Sequence, residues 1–473
     1  MSADEQISEL RRQISQLKSE INQLENSLSL RIGRKIPLGK QIRNLLHPID
    51  QLSGQNSLRP SEGHLDHDPM YQKMLAAWQG DSGIWKAVTC GLRDAMVRFA
   101  VERCAYYHEV IDVGRPFEEI PILTRQIIRE RSESILADGV PVNRRIPQTT
   151  SGSTGQPMAF YRDSSEASFN AAASQFLKWL HGVPRSATTI WLTWHRPEKL
   201  DENTYPVSAL ELTPDSIEKQ LKVWMSFPNY LLYGTASALD WVASEIERQN
   251  IAVNSQPFCA ITTSDLLTVQ AEKRISRIFK CPVHSWYGSY EFEGVLAGTL
   301  PGTRRYAFNP LLAYVEVVDG EGKPVSPGEC GRLVLTDLNN YVFPFIRYDT
   351  GDLAAFSDEG SVGGWPIIEN LEGRSSETIP LLGKKILSAG ALDSIFVLND
   401  FTKLIRFYQC AQTAPNIVEF RVVWVKPPSA EDRLAIENAL MSVVGSETKV
   451  IIKDITKVQR LPSGKTWIVR REF

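Results

Sequence analysis

Apolar residues recur at alternating steps of three and four over the first thirty residues of the chain. The positions are Ile7, Leu10, Ile14, Leu17, Ile21, Leu24 and Leu28, with Glu, Arg, Gln, Lys and Ser between them. This spacing forms a heptad seam with Ile at a and Leu at d, which favours parallel two-stranded coiled coils. We therefore predict a coiled-coil helix over residues 1–30 that joins two copies of the chain or meets a partner protein. An amphipathic helix docked on the chain's own body is the alternative.

Residues 31–70 depart from the heptad pattern. Five cations and no acid occupy residues 31–43, interleaved with Leu and Ile. Such a basic amphipathic stretch suits contact with an anionic membrane surface, or it is a solvated face. The turn formers and charges in "LSGQNSLRPSEGHLDHDP" predict a linker before the body of the protein.

From residue 71 onward the pattern predicts an α/β architecture. Helical periodicity covers residues 71–109. The apolar runs "TIWLTW", "NYLLYG", "FCAITTS" and "PVHSWYG" then alternate with amphipathic helices over 235–249 and 266–279. This alternation is typical of helices layered on largely buried strands. Short β-runs joined by Gly and Pro turns over 312–356 predict an antiparallel β-rich subdomain.

The last hundred residues mix short strands with one clear helix. The strands are "KLIRFYQC", "IVEFRVVWV" and "TKVIIKDI", and the helix covers 430–443. We expect a small separate α+β domain there. The predicted fold class is thus α/β, with a large multi-layer domain over 71–372, a small C-terminal domain over 373–473 and the N-terminal coiled coil.

Composition narrows the class of protein. The 473 residues are 42% hydrophobic and 23% charged, and the net charge is −3. No global basic field is present to recruit nucleic acid, so we expect none as a partner. The six cysteines are scattered without a C-x-x-C pair, and the first residues are polar, which together predict a cytoplasmic protein. No run approaches the roughly 18 apolar residues of a membrane span.

A loop rich in hydroxyl groups and glycine, "TTSGSTGQPM", covers residues 149–158. Glycines let backbone N–H groups converge on an anion, and hydroxyls add neutral donors, so this composition suits a polyphosphate. The loop is not a Walker motif, because Gln156 and Pro157 follow Gly155 where Lys and Ser or Thr are required. A serine-rich surface turn explains the stretch equally well when it is taken alone.

Four further segments favour a phosphate-binding loop over a surface turn. They are "SWYGSYEFEG", "RYDTGDL", "LEGRSSE" and "LPSGKTW", in this order along the chain. With the loop, this set resembles the adenylate-forming superfamily of acyl-CoA ligases, nonribosomal adenylation domains and luciferases. The phenylacetate-CoA ligase branch and its relatives in capsular polysaccharide and natural-product gene clusters are the nearest likeness. "EEIPILTRQIIRE" and "VEVVDGEGKPVSPGECGRLVLTDL" also fit that branch, and the resemblance covers roughly residues 71–473.

The resemblance implies an AMP-forming ligase that converts a carboxylate and ATP to an acyl-adenylate and then passes the acyl group to a nucleophile. Lys465, Glu291 and Arg374 would be the catalytic residues. Glu291 would bind Mg²⁺, with Glu293 as an alternative ligand. Lys465 would reach into the cleft from a mobile C-terminal lid. The residues implied for ATP binding are Ser151, Gly152, Ser153, Thr154 and Gly155 at the phosphates, Tyr287 at adenine, Gly288, Ser289 near the α-phosphate, and Asp352 at the ribose.

Other positions are left with two interpretations. Asp265 lies before the helix at 266–279, where it either approaches adenine or caps that helix. The candidates for the acid pocket lie at strand ends, where open α/β sheets bind ligands. They are Tyr233, Gly234, Trp194, His195 and Ser264. The aromatic residues among them also suit a core, and His195 also suits a structural role.

Two departures from the family pattern limit what the resemblance implies. Gln156 replaces the lysine that many relatives carry, so Mg²⁺ and Lys465 have more charge to neutralise. The tail "SSETIPLLGKKILSAGALDSIF" differs from the usual pattern for receiving coenzyme A, so the acceptor is coenzyme A, an amine or a hydroxyl. Segment 300–312 lacks the Cys and His of several relatives, and we expect no structural zinc. The alternatives are an aryl acyl-CoA synthetase and a non-catalytic nucleotide-binding scaffold that acts through its coiled coil.

Overall fold

The computed structural model describes most of the chain from residue 68 onward. The described ranges are 68–150, 158–163, 167–194, 202–292, 294–374, 378–381, 386–399, 401–445, 447–461 and 466–473. The predicted coiled coil, the basic stretch at 31–43 and the linker before residue 68 lie outside these ranges and stay predictions.

Ten helices lie within the described residues. They are α1 (Pro69–Gln79), α2 (Ser82–Arg103), α3 (Ala105–Val110), α4 (Arg125–Ile135), α5 (Ala167–Leu180), α6 (Pro214–Trp224), α7 (Ala236–Arg248), α8 (Val269–Phe279), α9 (Ala389–Leu398) and α10 (Ala430–Val444). Nineteen strands accompany them: β1 (Arg145–Thr150), β2 (Met158–Asp163), β3 (Thr188–Thr193), β4 (Thr204–Ser208), β5 (Tyr230–Thr235), β6 (Ala260–Thr263), β7 (Val283–Ser289), β8 (Gly294–Thr299), β9 (Tyr306–Phe308), β10 (Ala313–Val318), β11 (Gly331–Asp337), β12 (Tyr348–Val362), β13 (Trp365–Arg374), β14 (Ile379–Pro380), β15 (Ile386–Leu387), β16 (Ile405–Ala414), β17 (Ile417–Trp424), β18 (Lys449–Asp454) and β19 (Val469–Arg471).

The helical region predicted over 71–109 consists of three helices. The first break follows α1, where the Asp81 side chain accepts the Ile84 N–H at 3.0 Å and starts α2. The second break is at Cys104, which ends α2 and precedes α3 in extended conformation. Periodicity alone does not place these breaks, because it reports the spacing of apolar residues and not the caps that interrupt a helix.

One sheet of eleven strands forms the centre of the large unit. Its order is β10-β11-β12-β13-β9-β8-β7-β6-β5-β3-β4. Strands β3 to β7 are parallel, and the pairs from β7 to β10 are antiparallel. The sequence prediction of buried alternating strands followed by an antiparallel β-rich region is therefore confirmed as a mixed α/β fold.

Helices cover the parallel half because its strands are apolar on both faces. Leu231 and Leu232, neighbours on β5, are both fully buried although they point to opposite faces. One apolar cluster of β3 to β6 packs on α6, α7 and α8, and another packs on α1, α2 and α5. Parallel strands leave their carboxyl ends at one edge of the sheet, and this edge carries the candidate site.

Residues 378–473 build a second sheet with its own apolar core. Its order is β18-β17-β16-β19, with β16 and β17 antiparallel and the outer pairs parallel. Ser429 and Asp432 form a capping box that starts α10. The buried cluster includes Phe396, Phe420 and Leu440. The boundary predicted between residues 372 and 373 stays a prediction, since β13 of the large sheet continues to Arg374.

The two units contact each other at α7 and α8. The Arg274 Nη2 donates to the Arg406 carbonyl at 2.6 Å, and the Gln270 amide donates to the Ile405 carbonyl. The Arg406 guanidinium in turn donates to the Ser244 carbonyl at 2.9 Å. These contacts hold the start of β16 against the large unit.

Candidate functional site

A cleft of about 1090 Å³ lies between the carboxyl edge of the parallel strands and the C-terminal unit. It is lined by the ends of β7 and β13, by the turns before α7 and α8, and by residues near position 460. The sequence-predicted residues that line it are Trp194, Ser264, Asp265, Tyr287, Gly288, Ser289, Glu291, Asp352 and Arg374. Segments hundreds of positions apart in the sequence therefore meet at one cleft.

Glu291 lies in the short 3-10 helix that follows β7 and is 3% exposed. Its Oε1 accepts from Arg125 Nη2 at 2.9 Å and from the Tyr348 hydroxyl at 2.8 Å, and its Oε2 accepts from the Ser289 hydroxyl. Burial acts to raise the pKa of Glu291, but the Ser289 hydrogen bond and the Arg125 charge outweigh burial and lower it. Glu291 is therefore a buried carboxylate in its charged form.

Arg125 is a site residue that the sequence analysis missed. It is the first residue of α4, whose N-cap Thr124 accepts the Ile127 N–H at 3.3 Å. Its Nε donates to the Tyr348 hydroxyl at 3.1 Å. A cation at a helix N-terminus is disfavoured by the helix dipole, so Arg125 directly after the cap Thr124 is unusual, and the Glu291 carboxylate compensates it. The segment "LTRQ" carries this signal, since Thr124 is recognisable as a cap.

Asp352 lies near the start of β12, opposite Arg374 on β13. The Tyr287 hydroxyl donates to Asp352 Oδ2 at 2.7 Å, and Arg374 Nε lies 3.8 Å from Oδ1. Burial raises the pKa of Asp352, and the charge of Arg374 and the Tyr287 hydrogen bond offset part of that rise. Asp352 lines the cleft, and its carboxylate suits an acceptor for hydroxyl groups.

Gly288 is required where β7 approaches β8. A Cβ at this position would lie 2.3 Å from the Gly294 carbonyl oxygen. Any side chain here would push β8 away from β7. The glycine thus fixes the strand that carries Tyr287 and Ser289 into the cleft.

Asp265 caps a helix other than the one expected. Its carboxylate accepts the backbone N–H groups of Ala236 and Ser237, the latter at 3.2 Å, and the Ser237 hydroxyl. It therefore caps α7, the preceding helix, whereas Thr268 caps α8. The predicted interpretation of a cap on the helix at 266–279 is wrong, because β5 and β6 are neighbours and bring the start of α7 next to Asp265.

The acid-pocket candidates separate into two groups. Trp194 and Ser264 line the cleft, and Ser264 has a φ of +71°. In the described part of the chain, Tyr233 and Gly234 do not line it. The Tyr233 ring packs against Trp191 and Trp286, and a Cβ at Gly234 would lie 1.8 Å from the Leu192 carbonyl oxygen.

Several predicted site residues lie outside the described residues. They are Ser151, Gly152, Ser153, Thr154, Gly155, His195, Glu293 and Lys465. Their described neighbours Thr149 and Thr466 both line the cleft.

The residues present fit a magnesium ion that shares its coordination with a substrate. Glu291 offers a charged carboxylate that accepts from Arg125, Tyr348, Ser289 and its own backbone N–H. Within the described residues no group of three or more His, Cys, Asp or Glu side chains forms a metal site. Mg²⁺ commonly takes one protein carboxylate together with phosphate and water oxygens, so a single charged carboxylate that lines the cleft suits it.

Comparison with known proteins shows that this architecture occurs in solved structures of CoA ligases. The chain has their fold: it superposes on crystal structures of 2-hydroxyisobutyryl-CoA ligase with a TM-score of 0.70 in the postadenylation state, at 16% identity, covering 88% of this chain and 94% of that one. The anthranilate CoA ligase AuaEII in complex with anthranoyl-AMP gives a TM-score of 0.50 at 14% identity, over 68% of this chain and 65% of that one. The resemblance to the superfamily drawn from the sequence is thus confirmed at the level of the fold.

Among proteins compared by sequence, the chain is similar to Protein CapK of Staphylococcus aureus. The two are 22% identical over 370 residues, which is 73% of this chain and 78% of that protein. No family model matches the chain. Within the part that the structure describes, no helix has both the length and the apolarity of a membrane span.

Proposed function

We propose that this chain is an ATP-dependent, AMP-forming carboxylate ligase. It makes an acyl-adenylate from a carboxylic acid and transfers the acyl group to a nucleophile. The observation that carries the proposal is the convergence of Glu291, Asp352 and Arg374 on one cleft that Thr466 of the C-terminal unit also lines. The fold shared with 2-hydroxyisobutyryl-CoA ligase supports it.

In the adenylation step a substrate carboxylate oxygen attacks the α-phosphorus of ATP, and the bond to pyrophosphate breaks. The difficulty is that both reactants are anions, so catalysis depends on positioning and on cations around the phosphates. We assign the ribose to Asp352 and Arg374, the adenine to Tyr287, and the β- and γ-phosphates to Ser151–Gly155. Asp265 holds the start of α7 beside the nucleotide.

Glu291 would hold Mg²⁺, which supplies positive charge at the phosphate oxygens when it is bound. Ser289 holds the Glu291 carboxylate and faces the α-phosphate. Lys465 would approach the same oxygens from the C-terminal unit and would leave with that unit for the second step.

Arg125 adds a positive charge beside Glu291, where the phosphates would bind. Its side chain is 25% exposed and lies beside Glu291 at the cleft, so its guanidinium reaches both the carboxylate and an incoming anion. Gln156 supplies no charge in the loop where many relatives have lysine. We assign to Arg125 part of the role of that lysine in neutralising the phosphates.

For the acceptor we propose coenzyme A first, with an amine or a hydroxyl as the other outcomes. The 2-hydroxyisobutyryl-CoA ligase has been crystallised with CoA in open and thioesterification states, and their TM-scores with this chain are 0.59 and 0.56. In this step the nucleophile attacks the acyl carbon, AMP leaves, and the proton of the nucleophile passes to solvent.

Exchange of labelled pyrophosphate into ATP, driven by a panel of carboxylic acids, tests the proposal. We expect acid-dependent exchange that falls about 100-fold or more in Lys465→Ala, because one charged donor at the transition state is removed. Lys457→Ala, an exposed lysine of the same unit, is the matched control and should exchange as the wild type does.

Absence of exchange with every acid would contradict the proposal and favour a non-catalytic nucleotide-binding scaffold. Exchange without thioester formation after coenzyme A is added would exclude an acyl-CoA synthetase. The acyl acceptor would then be an amine or a hydroxyl.

A further inference from the structure

The segment that precedes and follows Lys465 is tied to the core of the C-terminal unit. We call its two described arms, residues 459–461 and 466–467, the lysine hairpin. The fully buried Gln409 on β16 donates from Nε2 to the Gln459 carbonyl at 2.8 Å and to the Trp467 carbonyl at 3.0 Å. The Gln459 N–H donates back to Gln409 Oε1 at 2.7 Å. One side chain therefore fixes both arms of the hairpin to β16.

Arg460 follows Gln459 directly and contacts the large unit. Arg460 pairs with Thr466 in an antiparallel bridge, so the two arms stay together past Gln409. The Arg460 Cζ lies 3.6 Å from the centroid of the Trp194 ring. At this separation the guanidinium stacks on the ring, a favourable cation–π contact.

Trp194 is itself held in place by the large unit. The residue is 2% exposed, and its Nε1 donates to the Ser237 hydroxyl at 2.7 Å. The Ser237 hydroxyl in turn donates to Asp265. Two hydrogen bonds therefore fix the plane on which Arg460 stacks.

From these contacts we infer that the stack of Arg460 on Trp194 is a positioning device that holds the lysine hairpin over the cleft. Arg460 and Trp194 act on the reaction through the placement of Lys465, and this catalytic consequence rests on the proposed function. The contacts at Ile405 and Arg406 hold only the start of β16, whereas Arg460 fixes the unit at the hairpin itself. The higher TM-score with the postadenylation state than with the open and thioesterification states agrees with a hairpin held at the cleft.

The first test measures the position of the C-terminal unit and needs no substrate. Spin labels are placed at Val142→Cys and Leu434→Cys, which are 78% and 58% exposed and lie on different units, after Cys90 and Cys330 are replaced by Ser. Pulsed electron paramagnetic resonance then gives the distance distribution between the labels. We expect Arg460→Ala to broaden that distribution, and Arg460→Lys, which keeps the charge without the planar stack, to give an intermediate result.

Arg433→Ala is the matched control for this measurement. Arg433 also lies over a tryptophan ring, at 5.3 Å from the centroid of Trp424, but both residues belong to the C-terminal unit. It should leave the distance distribution unchanged. An Arg460→Ala distribution identical to the wild type would overturn the inference.

The second test follows pyrophosphate exchange with an acid that the wild type accepts. We expect Arg460→Ala to lower kcat about tenfold, the middle of the range for a cation–π contact, with the KM for ATP within about twofold. Trp194→Leu should give a similar loss, and adding Arg460→Ala to it should give little more, because the two residues act through one contact. Additive losses, or an unchanged kcat, would contradict the positioning role.

The two tests separate this inference from the proposed function. If no acid supports exchange in the wild type, the proposed function fails while the distance measurement still decides whether Arg460 and Trp194 hold the two units together.

Discussion

At the scale of single residues, the site depends on a carboxylate that is buried and yet charged. Glu291 is compensated by one cation and two hydroxyl groups, from Arg125, Tyr348 and Ser289. The desolvation of a carboxylate is costly unless donors replace water, and these three donors do so. The same donors keep the charged carboxylate at the cleft.

Replacing Glu291 by Gln tests this arrangement. The amide has nearly the same shape but no charge, so Arg125 loses its ion pair and, under the proposed function, Mg²⁺ would lose its ligand. We expect acid-dependent pyrophosphate exchange to fall about 100-fold or more. Glu321→Gln, an exposed glutamate paired with Lys323, is the control and should keep wild-type exchange. Wild-type exchange in Glu291→Gln would remove Glu291 from the catalytic residues.

Two buried histidines lie beside Trp286, a residue that lines the cleft. The rings of His181 and His284 stack at 3.8 Å, and both residues are buried. His181 Nδ1 accepts the Trp286 N–H at 3.3 Å, which leaves its Nε2 to donate to the Thr299 carbonyl at 2.9 Å. Burial lowers the pKa of His181 to about 3 and that of His284 to about 4.

This pair should make the fold less stable as pH falls. Below about 6.5 both histidines take up protons in the unfolded chain but not in the folded one, so the free energy of unfolding decreases. Between pH 7.5 and 5.5 each histidine contributes a loss of about 1.4 kcal/mol. Urea unfolding at the two pH values measures it.

His284→Phe keeps a ring at the stack but does not titrate, so it should remove about half of the pair's contribution. His108→Gln, which removes a histidine at an exposed position, is the matched control for the loss of an imidazole. An equal pH dependence in wild type and His284→Phe would show that the pair is not responsible.

At the scale of elements, the position of the site depends on strands that pass closer than a side chain allows. Gly234 on β5 faces the Leu192 carbonyl of β3, and Gly288 on β7 faces the Gly294 carbonyl of β8. Both glycines lie near the carboxyl ends of their strands. They let neighbouring strands meet where the cleft begins.

Gly234→Ala should therefore destabilise the sheet. The added Cβ would lie 1.8 Å from backbone, which cannot move without separating β3 from β5. We expect a loss of about 1–3 kcal/mol or more in the free energy of unfolding, measured by urea titration. Gly91→Ala in α2 has no atom within 4 Å of the new Cβ and should stabilise the protein slightly. Similar effects of the two substitutions would contradict the close approach.

At the scale of the whole molecule, the cleft is formed by two units that have separate apolar cores. The large unit supplies Glu291, Asp352 and Arg125, and the C-terminal unit supplies the lysine hairpin. Neither unit alone lines the whole cleft. Under the proposed function, a site divided in this way would allow one unit to move between two half-reactions.

The predicted coiled coil over residues 1–30 concerns the assembly of whole chains. We expect the intact chain to be a dimer by light scattering and the chain without residues 1–30 to have half that mass. Leu17→Glu at a d position should dissociate the dimer, because it places a charge in the seam. Ser19→Glu, on the outer face of the same helix, should not. An unchanged mass after truncation would contradict a coiled-coil dimer.

The sequence by itself determined the local structure and the order of the motifs. Apolar alternation predicted β3, β5, β6, β7 and the helices between them, since each strand is apolar on both faces and each helix on one. The motifs around Glu291, Asp352 and Arg374 were recognisable because glycines, hydroxyls and charges occur there in a fixed order.

Only the tertiary structure decided which side chains face each other. The strand order brought Asp265 to α7 instead of α8, and it brought Arg125 to Glu291, 166 residues away. The same packing brought Arg460 into contact with the Trp194 ring and packed the Tyr233 ring against Trp286. The physical reason is that a contact between distant segments depends on how strands pair and helices pack, and no local pattern of hydrophobic and polar residues carries that information.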